Sequence, residues 1–287
     1  MKIFIIGGSG LVGSRLTELL GEKYGVDNLS ISSGTDITKP ETLDIIKNDS
    51  EHQMVLLLAA KTNVDQCELD KSLGKDGDAW KTNVQGVQNV VDVCLSSSKK
   101  MIYISTDFVF DGEKTPENGY VEEDLPLPIN WYGETKYRGE ELVRNSGLDY
   151  IIARIAYPYR KDFGQKTDFA RVIIERLKNN QPVSAIFDHK FTPTFIDDIA
   201  VAIDKLIDTK SMGIFHIAGS QTLTPFNAAM LIAEKFGLDK NLISKTTRAE
   251  YFKDKAQRPF NVALNNDKIK KLGVNMRGFE EGLDLLK

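Results

Sequence analysis

The stretch that decides the fold is residues 3–13, which read Ile3-Phe4-Ile5-Ile6-Gly7-Gly8-Ser9-Gly10-Leu11-Val12-Gly13. Its first four residues are apolar and have strand character, and the apolar spacing of residues 14–20 that follow is typical of a helix. We expect Gly7 to make a tight turn, Gly10 to let a pyrophosphate approach the backbone at the helix N-terminus, and Gly13 to let the helix pack closely against the sheet. This arrangement predicts dinucleotide binding.

The end of the second predicted strand, residues 29–32, indicates which dinucleotide is bound. Ser32-Ser33-Gly34 stands there, where a carboxylate often binds the ribose 2′-hydroxyl. Small neutral residues leave room for a 2′-phosphate, so we expect NADP or NAD, with NADPH preferred. Two interpretations of Asp36 stay open: it caps a helix that begins near Pro40, or it lies with Ile37 along the adenine.

Strands and helices alternate along the rest of the chain. Strands are predicted at 54–58, 101–104, 150–155 and 213–218, and helices at 76–98, 131–145, 169–177, 196–207 and 225–236. Residues 54–58 are apolar without interruption, which is typical of a strand buried on both faces of a parallel sheet. Ala59-Ala60-Lys61-Thr62 follows, where a cofactor lies in a doubly wound sheet. Asn83, on the long helix, is expected to hold either a water or a bent backbone near that cofactor, unless it is simply exposed.

A Tyr-x-x-x-Lys spacing occurs three times, at Tyr132/Lys136, Tyr157/Lys161 and Tyr251/Lys255. Pro158 argues against a helix at the second pair, and the third lies in a charged segment typical of a solvated helix face. The first pair follows a strand-end hydroxyl, Thr106, and its two side chains share one helix face. We expect the Lys136 ammonium to lower the pKa of Tyr132, which suits proton transfer to or from a carbonyl or alcohol oxygen.

Composition and charge exclude several classes of partner and site. The chain has 287 residues and a formal net charge of −4, so there is no electrostatic case for nucleic acid or an anionic membrane as a partner. No apolar run approaches the length of a membrane span. Cys67 and Cys94 have no metal-binding or redox spacing, the three histidines lie far apart, and we expect no metal site and a cytoplasmic location.

These residues together resemble the extended short-chain dehydrogenase/reductase superfamily and, more closely, the dTDP-4-dehydrorhamnose reductase family. The resemblance runs nearly end to end. It is carried by the glycine loop at 7–13, by residues 36–38, 59–65, 82–84, 105–112 and 132–136, and by Pro193-Thr194, Gly213-Ile214-Phe215-His216 and Arg258-Pro259. It implies an α/β fold, a Rossmann-type doubly wound parallel sheet with a smaller C-terminal substrate lobe. The dinucleotide-binding domain is expected at 1–155, together with about 195–218, and the substrate lobe mainly at 156–287.

The resemblance also implies roles for particular residues. Thr106, Tyr132 and Lys136 are the implied catalytic residues of a 4-keto sugar-nucleotide reductase; Thr106 bonds the carbonyl and Lys136 also holds the nicotinamide ribose. The implied cofactor-binding residues are Gly7, Ser9, Gly10, Leu11, Val12, Ser32, Ser33, Asp36, Ile37, Ala59, Ala60, Lys61, Asn83, Ser105, Tyr132, Lys136 and Ile155. The implied sugar-nucleotide contacts are Val64, Thr106, Phe108, Tyr132 and Tyr157. A monomer or homodimer is expected.

The chain departs from the family pattern at two places, and other activities compete. Ala156, with Tyr157 next, stands near a point where the family often has a bulky aromatic, and the Lys190-Phe191 loop differs from the commoner small-residue version. A 4,6-dehydratase typically has Thr-Asp-Glu at the strand end, whereas Phe108 stands at the Glu position. The alternatives that stay open are an epimerase of the same superfamily and a non-catalytic NADP-binding regulatory subunit like the methionine adenosyltransferase β subunit.

Overall fold

The computed structural model describes residues 1–161 and 164–287. Its strands are β1 (Lys2–Ile6), β2 (Gly25–Leu29), β3 (His52–Leu57), β4 (Lys100–Thr106), β5 (Tyr150–Ile155), β6 (Pro158–Tyr159), β7 (Val183–Ile186), β8 (Thr194–Phe195), β9 (Gly213–His216) and β10 (Ile243–Thr246). Its helices are α1 (Leu11–Gly21), α2 (Asp44–Lys47), α3 (Val64–Asp70), α4 (Asp78–Trp80), α5 (Gly86–Ser96), α6 (Trp131–Arg144), α7 (Phe169–Lys178), α8 (Ile196–Asp208), α9 (Pro225–Phe236), α10 (Arg248–Tyr251), α11 (Asp267–Lys271) and α12 (Phe279–Asp284). None of the helices in these two ranges is long and apolar enough to cross a membrane.

A parallel sheet organises the molecule, with strand order β2-β1-β3-β4-β5-β9. Successive residues of β1 belong to the two apolar cores that lie on opposite faces of the sheet. Ile3 and Ile5 pack with α1 and α8, whereas Phe4 and Ile6 pack with α5 and the end of α6. Helices on both faces confirm the predicted α/β, doubly wound fold. The strand order reverses between β1 and β3, so the loops after these strands diverge and leave a crevice at the carboxyl edge.

The second half of the chain adds a set of smaller elements. Strand β6 pairs with β8, and β7 pairs with β10, each in parallel. A separate apolar core joins α7, α9 and α12 and contains the buried Tyr159, Phe191 and Phe279. Strand β9 and helix α8 instead complete the large sheet and its cover. The domain boundary at residue 155 stays a prediction.

The second strand lies earlier than predicted. It spans Gly25–Leu29, and Ile31–Ser33 forms a short 3-10 turn instead of continuing the strand. Leu29 is the buried residue of this edge strand, and Ile31 is 78% exposed. The prediction from the apolar residues at 29 and 31 therefore placed the strand too late. The position of this edge strand is set by its hydrogen bonds with β1 rather than by its own apolar pattern.

The helix predicted at 76–98 is also interrupted. It begins at Asp78, passes through a π-helical segment at Lys81–Gln85, and ends at Ser96. A π-helical segment adds a residue to the turn and is frequent at functional sites. It carries Asn83, which is fully buried. The apolar pattern of residues 76–98 does not reveal this distortion.

The contact between α1 and the turn after β1 gives a stability prediction. A Cβ at Gly13 would overlap the backbone of Gly7 and Gly8, so we expect Gly13→Ala to lower the free energy of unfolding by about 1–3 kcal/mol. The matched control is Gly21→Ala at the other end of α1, where nothing lies within 4 Å of the added atom. Alanine is the better helix former, so the control should be neutral or slightly stabilising.

Denaturant unfolding followed by circular dichroism measures both variants. Equal stabilities for Gly13→Ala and the wild type would show that α1 does not depend on this contact.

Candidate active site

The carboxyl edge of the large sheet carries a cavity of about 1140 Å³. Its walls come from the loops that follow β1, β2, β3 and β5, from the end of β4, and from the first turns of α6. This is the crevice at which ligands bind in open α/β sheets.

Most of the predicted site residues line this cavity. They are Gly7, Ser9, Gly10, Leu11, Val12, Ser32, Asp36, Ile37, Ala59, Ala60, Lys61, Val64, Ser105, Thr106, Phe108, Tyr132, Lys136, Ile155 and Tyr157. Of the described residues predicted for the site, Ser33 and Asn83 do not line it. The Ser33 hydroxyl accepts from Ser30 N at 2.8 Å and donates to Ser30 O at 3.0 Å, so it closes the turn after β2.

Asn83 supports the wall from behind. Its Oδ1 accepts from Lys61 N at 2.9 Å, and its Nδ2 donates to Lys61 O and Thr135 Oγ1, each at 3.0 Å. Of the interpretations left open for Asn83, this geometry corresponds to holding a bent backbone. One amide side chain therefore ties the π-helical segment, the loop after β3 and helix α6 together.

The N-terminus of α1 opens into the cavity. Gly10 is the N-cap and offers no side chain to the first backbone N–H groups, and Leu11, Val12 and Gly13 line the cavity beside it. Uncapped N–H groups and the positive end of the helix dipole favour an anion such as a pyrophosphate. The residues present therefore fit a dinucleotide.

Asp36 lies farther along the same cavity. Its Oδ1 accepts from Thr38 N at 3.0 Å and Thr38 Oγ1 at 2.7 Å, and these bonds hold the pKa of the carboxyl below its usual range. The turn that begins at Pro40 has Lys39 as its N-cap, without a side-chain cap. The capping interpretation of Asp36 is therefore wrong.

Helix α6 carries two of the predicted catalytic residues. It begins after Asn130, whose Oδ1 accepts from Gly133 N at 2.8 Å. A Cβ at Gly133 would overlap the carbonyl oxygen of Phe108, so glycine lets the helix approach the turn after β4. Tyr132 thereby lies within hydrogen-bonding reach of Thr106.

Lys136 lies one turn farther along α6 and is 3% exposed. Its Nζ donates to Ile104 O at 2.8 Å and lies 4.0 Å from the centre of the Tyr103 ring. Burial lowers the pKa of Lys136 to about 7, against a smaller opposing effect of the Glu140 carboxylate. The proton of this ammonium is therefore easily lost near neutral pH.

The prediction that Tyr132 has a lowered pKa is wrong for this structure. Burial raises the pKa of its phenol, and the nearby Thr106 hydroxyl offsets that rise only in part. The ring packs in an apolar cluster with Cys67, Ala79 and Phe108, which disfavours a phenolate. Spacing places a Lys near a Tyr, but it does not show how far each is removed from water.

Asp107 is a site residue that was not predicted. It lines the cavity and is 2% exposed, and its Oδ1 accepts from Thr106 Oγ1 at 3.1 Å. Its Oδ2 has no hydrogen-bond partner among the described residues, and burial raises the pKa of the carboxyl to about 7. The available signal was its position directly after Thr106 at the end of a strand.

The other end of the cavity is aromatic. Tyr157 follows β5 with a φ of +41°, a left-handed conformation that costs roughly 1–3 kcal/mol for a residue other than glycine. Its ring meets Phe191 edge-on at 4.6 Å, and Phe108 and Phe169 each lie 6.2 Å away. Ala156 is buried in a neighbouring cluster, so the aromatic residue that lines the cavity here is Tyr157.

Comparison with known proteins agrees with this geometry. Residues 1–286 match the family model described as the RmlD substrate binding domain. The chain belongs to this family. The match spans nearly the whole sequence, so it includes the glycine loop, the residues that line the cavity and its aromatic end.

Individual relatives are similar over different lengths. The dTDP-4-dehydrorhamnose reductase of Aggregatibacter actinomycetemcomitans is 29% identical, over 98% of this chain and 97% of that protein. The methionine adenosyltransferase 2 subunit beta of Rattus norvegicus is 31% identical, over 69% of this chain and 60% of that protein. The crystal structure of dTDP-4-dehydrorhamnose reductase from Bacillus anthracis in complex with NADP has a TM-score of 0.88 at 29% identity and covers 99% of this chain and 97% of that one.

The buried Lys136 gives a second stability prediction. Between about pH 7 and the ordinary lysine pKa of about 10.4 the unfolded chain binds the Lys136 proton and the folded chain does not, so the contribution of this residue to stability rises with pH. Below that window the folded protein bears the full penalty of a buried charge. Lys136→Met should therefore raise the melting temperature most at pH 6, and the gain should shrink toward pH 10.

Calorimetry of both proteins across this range makes the measurement. Lys47→Met, at an exposed lysine in α2, is the control and should show no comparable pH-dependent gain. A Lys136→Met protein that is less stable than the wild type at pH 6 would contradict the assigned penalty.

Proposed function

We propose that the protein is an NAD(P)H-dependent reductase of a 4-keto sugar nucleotide. The observation that carries this proposal is the convergence of Thr106, Tyr132 and Lys136 on one cavity, beside the open N-terminus of α1. The likeness to dTDP-4-dehydrorhamnose reductases over nearly the full chain supports it. The NADP held by the Bacillus anthracis enzyme supports a nicotinamide dinucleotide as the cofactor.

The chain's own residues suit a reduction. The cofactor, when bound, supplies a hydride to the carbonyl carbon. Tyr132 donates a proton to the carbonyl oxygen, and Thr106, within reach of Tyr132, hydrogen-bonds that oxygen. Because burial raises the pKa of Tyr132, the phenol holds the proton that a reduction consumes. Lys136, on the same face of α6, would hold the ribose of the cofactor by donating a hydrogen bond to it.

Competing functions have less support. Phe108 occupies the position of the second dehydratase acid, and a phenyl ring cannot transfer a proton. An epimerase must first oxidise its substrate, and for that step Tyr132 has to act as a base, which its raised pKa opposes. The likeness to the methionine adenosyltransferase β subunit covers 69% of the chain, less than the 98% matched by the reductase.

Product analysis tests the proposal. The protein is incubated with NADPH and a panel of dTDP-, UDP- and GDP-linked 4-keto sugars, and separately with the parent dTDP- and UDP-hexoses, and the product masses are measured by mass spectrometry. Reduction adds about two mass units with stoichiometric NADPH oxidation, whereas dehydration of a hexose removes about eighteen with no net oxidation. Loss of water without NADPH consumption, or no turnover of any member of the panel, would defeat the reductase assignment.

Tyr132→Phe tests the proton donor. The substitution removes the hydroxyl and keeps the ring, so the fold and NADPH binding should be retained while kcat falls by about 10²–10⁴-fold. Tyr251→Phe, at an exposed tyrosine, is the matched control and should retain kcat. Full activity in Tyr132→Phe would remove this residue from the chemistry.

Ser32→Asp tests the proposed preference for NADPH. Ser32 is exposed and lines the cavity after β2, so a carboxylate there should repel a 2′-phosphate and weaken NADPH binding about tenfold, with NADH little affected. Ser50→Asp adds the same charge near the amino end of β3, at the opposite edge of the sheet, and should leave both affinities unchanged. Titration calorimetry gives the dissociation constants, and a wild type that binds NADH tenfold better than NADPH would reverse the preference.

A further inference from the structure

His189 is a buried histidine for which the proposed chemistry has no role. It is 2% exposed, and its Nδ1 lies 2.8 Å from Pro259 O and 3.0 Å from Phe260 O. Its Nε2 lies 3.4 Å from the hydroxyl oxygen of Tyr157. The imidazole therefore connects the backbone at 259–260 to an aromatic residue of the cavity wall.

These contacts determine which ring nitrogen carries the proton. A carbonyl oxygen can only accept a hydrogen bond, so Nδ1 must be the N–H nitrogen. Burial lowers the pKa of His189, and the ring is neutral at pH 7 with a single N–H. Nε2 is then an acceptor, and the hydroxyl of Tyr157 is the donor of the bond between them.

The hydroxyl proton of Tyr157 is thereby directed away from any ligand. Burial raises the pKa of Tyr157, so the phenol keeps that proton. The residue is also fixed in place: Thr194 N donates to its carbonyl oxygen at 3.3 Å, and Phe191 packs against its ring. With its only proton committed to His189, the oxygen can only accept a further hydrogen bond, and Tyr157 is one of the residues that line the cavity.

We propose that His189 is a positioning residue that makes the Tyr157 hydroxyl an acceptor for a free hydroxyl on the sugar ring of the substrate. This inference rests on the proposed function and narrows its substrate class to sugars that present a donor at this end of the cavity. A sugar without that hydroxyl leaves the Tyr157 oxygen unpaired, and a site built to hydrogen-bond a hydroxyl discriminates against such an analogue.

A merely structural role for His189 makes different predictions. In that case the ring only ties the backbone at 259–260 to its own loop, and its loss would lower stability without changing the recognition of the sugar. The KM for the sugar nucleotide therefore distinguishes the two roles, because only the positioning role changes it. The kcat and the NADPH dissociation constant serve as references.

Steady-state kinetics on the 4-keto sugar nucleotide that is turned over fastest make the test. Tyr157→Phe and His189→Leu should each raise KM about threefold to tenfold, with kcat and the NADPH dissociation constant nearly unchanged. His189→Gln keeps an N–H donor for the carbonyls and an oxygen acceptor for Tyr157, so it should restore KM. In the double variant, His189→Leu should add nothing to Tyr157→Phe, because one hydrogen bond is lost only once.

Matched controls separate general damage from the specific effect. Tyr251→Phe removes an exposed hydroxyl, and His52→Gln alters a buried histidine at the amino end of β3, away from the cavity. Both should leave KM unchanged. Nitrogen-15 NMR of the imidazoles reads the tautomer directly and does not depend on turnover: His189 should show a protonated Nδ1 and an unprotonated Nε2, and Tyr157→Phe should shift the Nε2 signal.

Each outcome decides the matter. The proposal is overturned if His189 carries its proton on Nε2, if both single variants keep the wild-type KM, or if their effects on KM add. A wild type that turns over no 4-keto sugar nucleotide would instead remove the function on which the inference rests. That result is distinguishable, because it appears before any variant is made.

Discussion

The close approach of helix α6 to the carboxyl end of β4 is the constraint on which the rest of the site depends. It requires a residue without a Cβ at Gly133, because the carbonyl of Phe108 occupies that space. Once the helix lies there, Tyr132 reaches Thr106, and the Lys136 ammonium reaches the carbonyl of Ile104 at 2.8 Å. The same approach removes these groups from water, so the geometry and the altered pKa values of the site have one origin.

Some buried ionisable groups at this end of the sheet are fully hydrogen-bonded, and others are not. Glu140 and Arg154 are both fully buried, yet they pair bidentately at 2.9 and 2.7 Å, and Ser105 donates to the same carboxylate at 2.5 Å. This pair is satisfied and therefore rigid. Lys136 has one carbonyl as its acceptor, and Asp107 keeps an oxygen with no partner in the described ranges. Incompletely satisfied buried groups cost stability, and here both residues line the cavity.

Much of the fold follows from local pattern, and the failures have physical causes. The glycine loop, the buried strands and Tyr132/Lys136 could be located from the sequence because turns, parallel strands and helix faces have fixed spacings. The edge strand β2 could not, because its neighbour sets its register. Two further features could not be predicted from the sequence. The hydrogen bonds of Asn83 depend on a backbone group 22 residues away, and the tautomer of His189 depends on carbonyl groups about 70 residues away. Burial is likewise a property of the assembled fold, which is why the direction of the Tyr132 pKa was wrong.

The two ends of the cavity use different parts of the chain. At the proposed cofactor end, glycines and the uncapped N–H groups of α1 present backbone, whose chemistry is the same for every residue type. At the proposed sugar end, the wall consists of side chains, among them Phe108 from the first half of the chain and Tyr157 and Phe169 from the second. A substitution at the first end leaves the backbone groups in place, although an added charge such as that of Ser32→Asp still affects binding. A substitution at the second end changes shape and hydrogen bonding together. Divergence in this family should therefore alter the sugar that is accepted more readily than the cofactor. Among the departures of this chain at 156–157 and 190–191, Tyr157 lines the cavity and Phe191 packs against its ring.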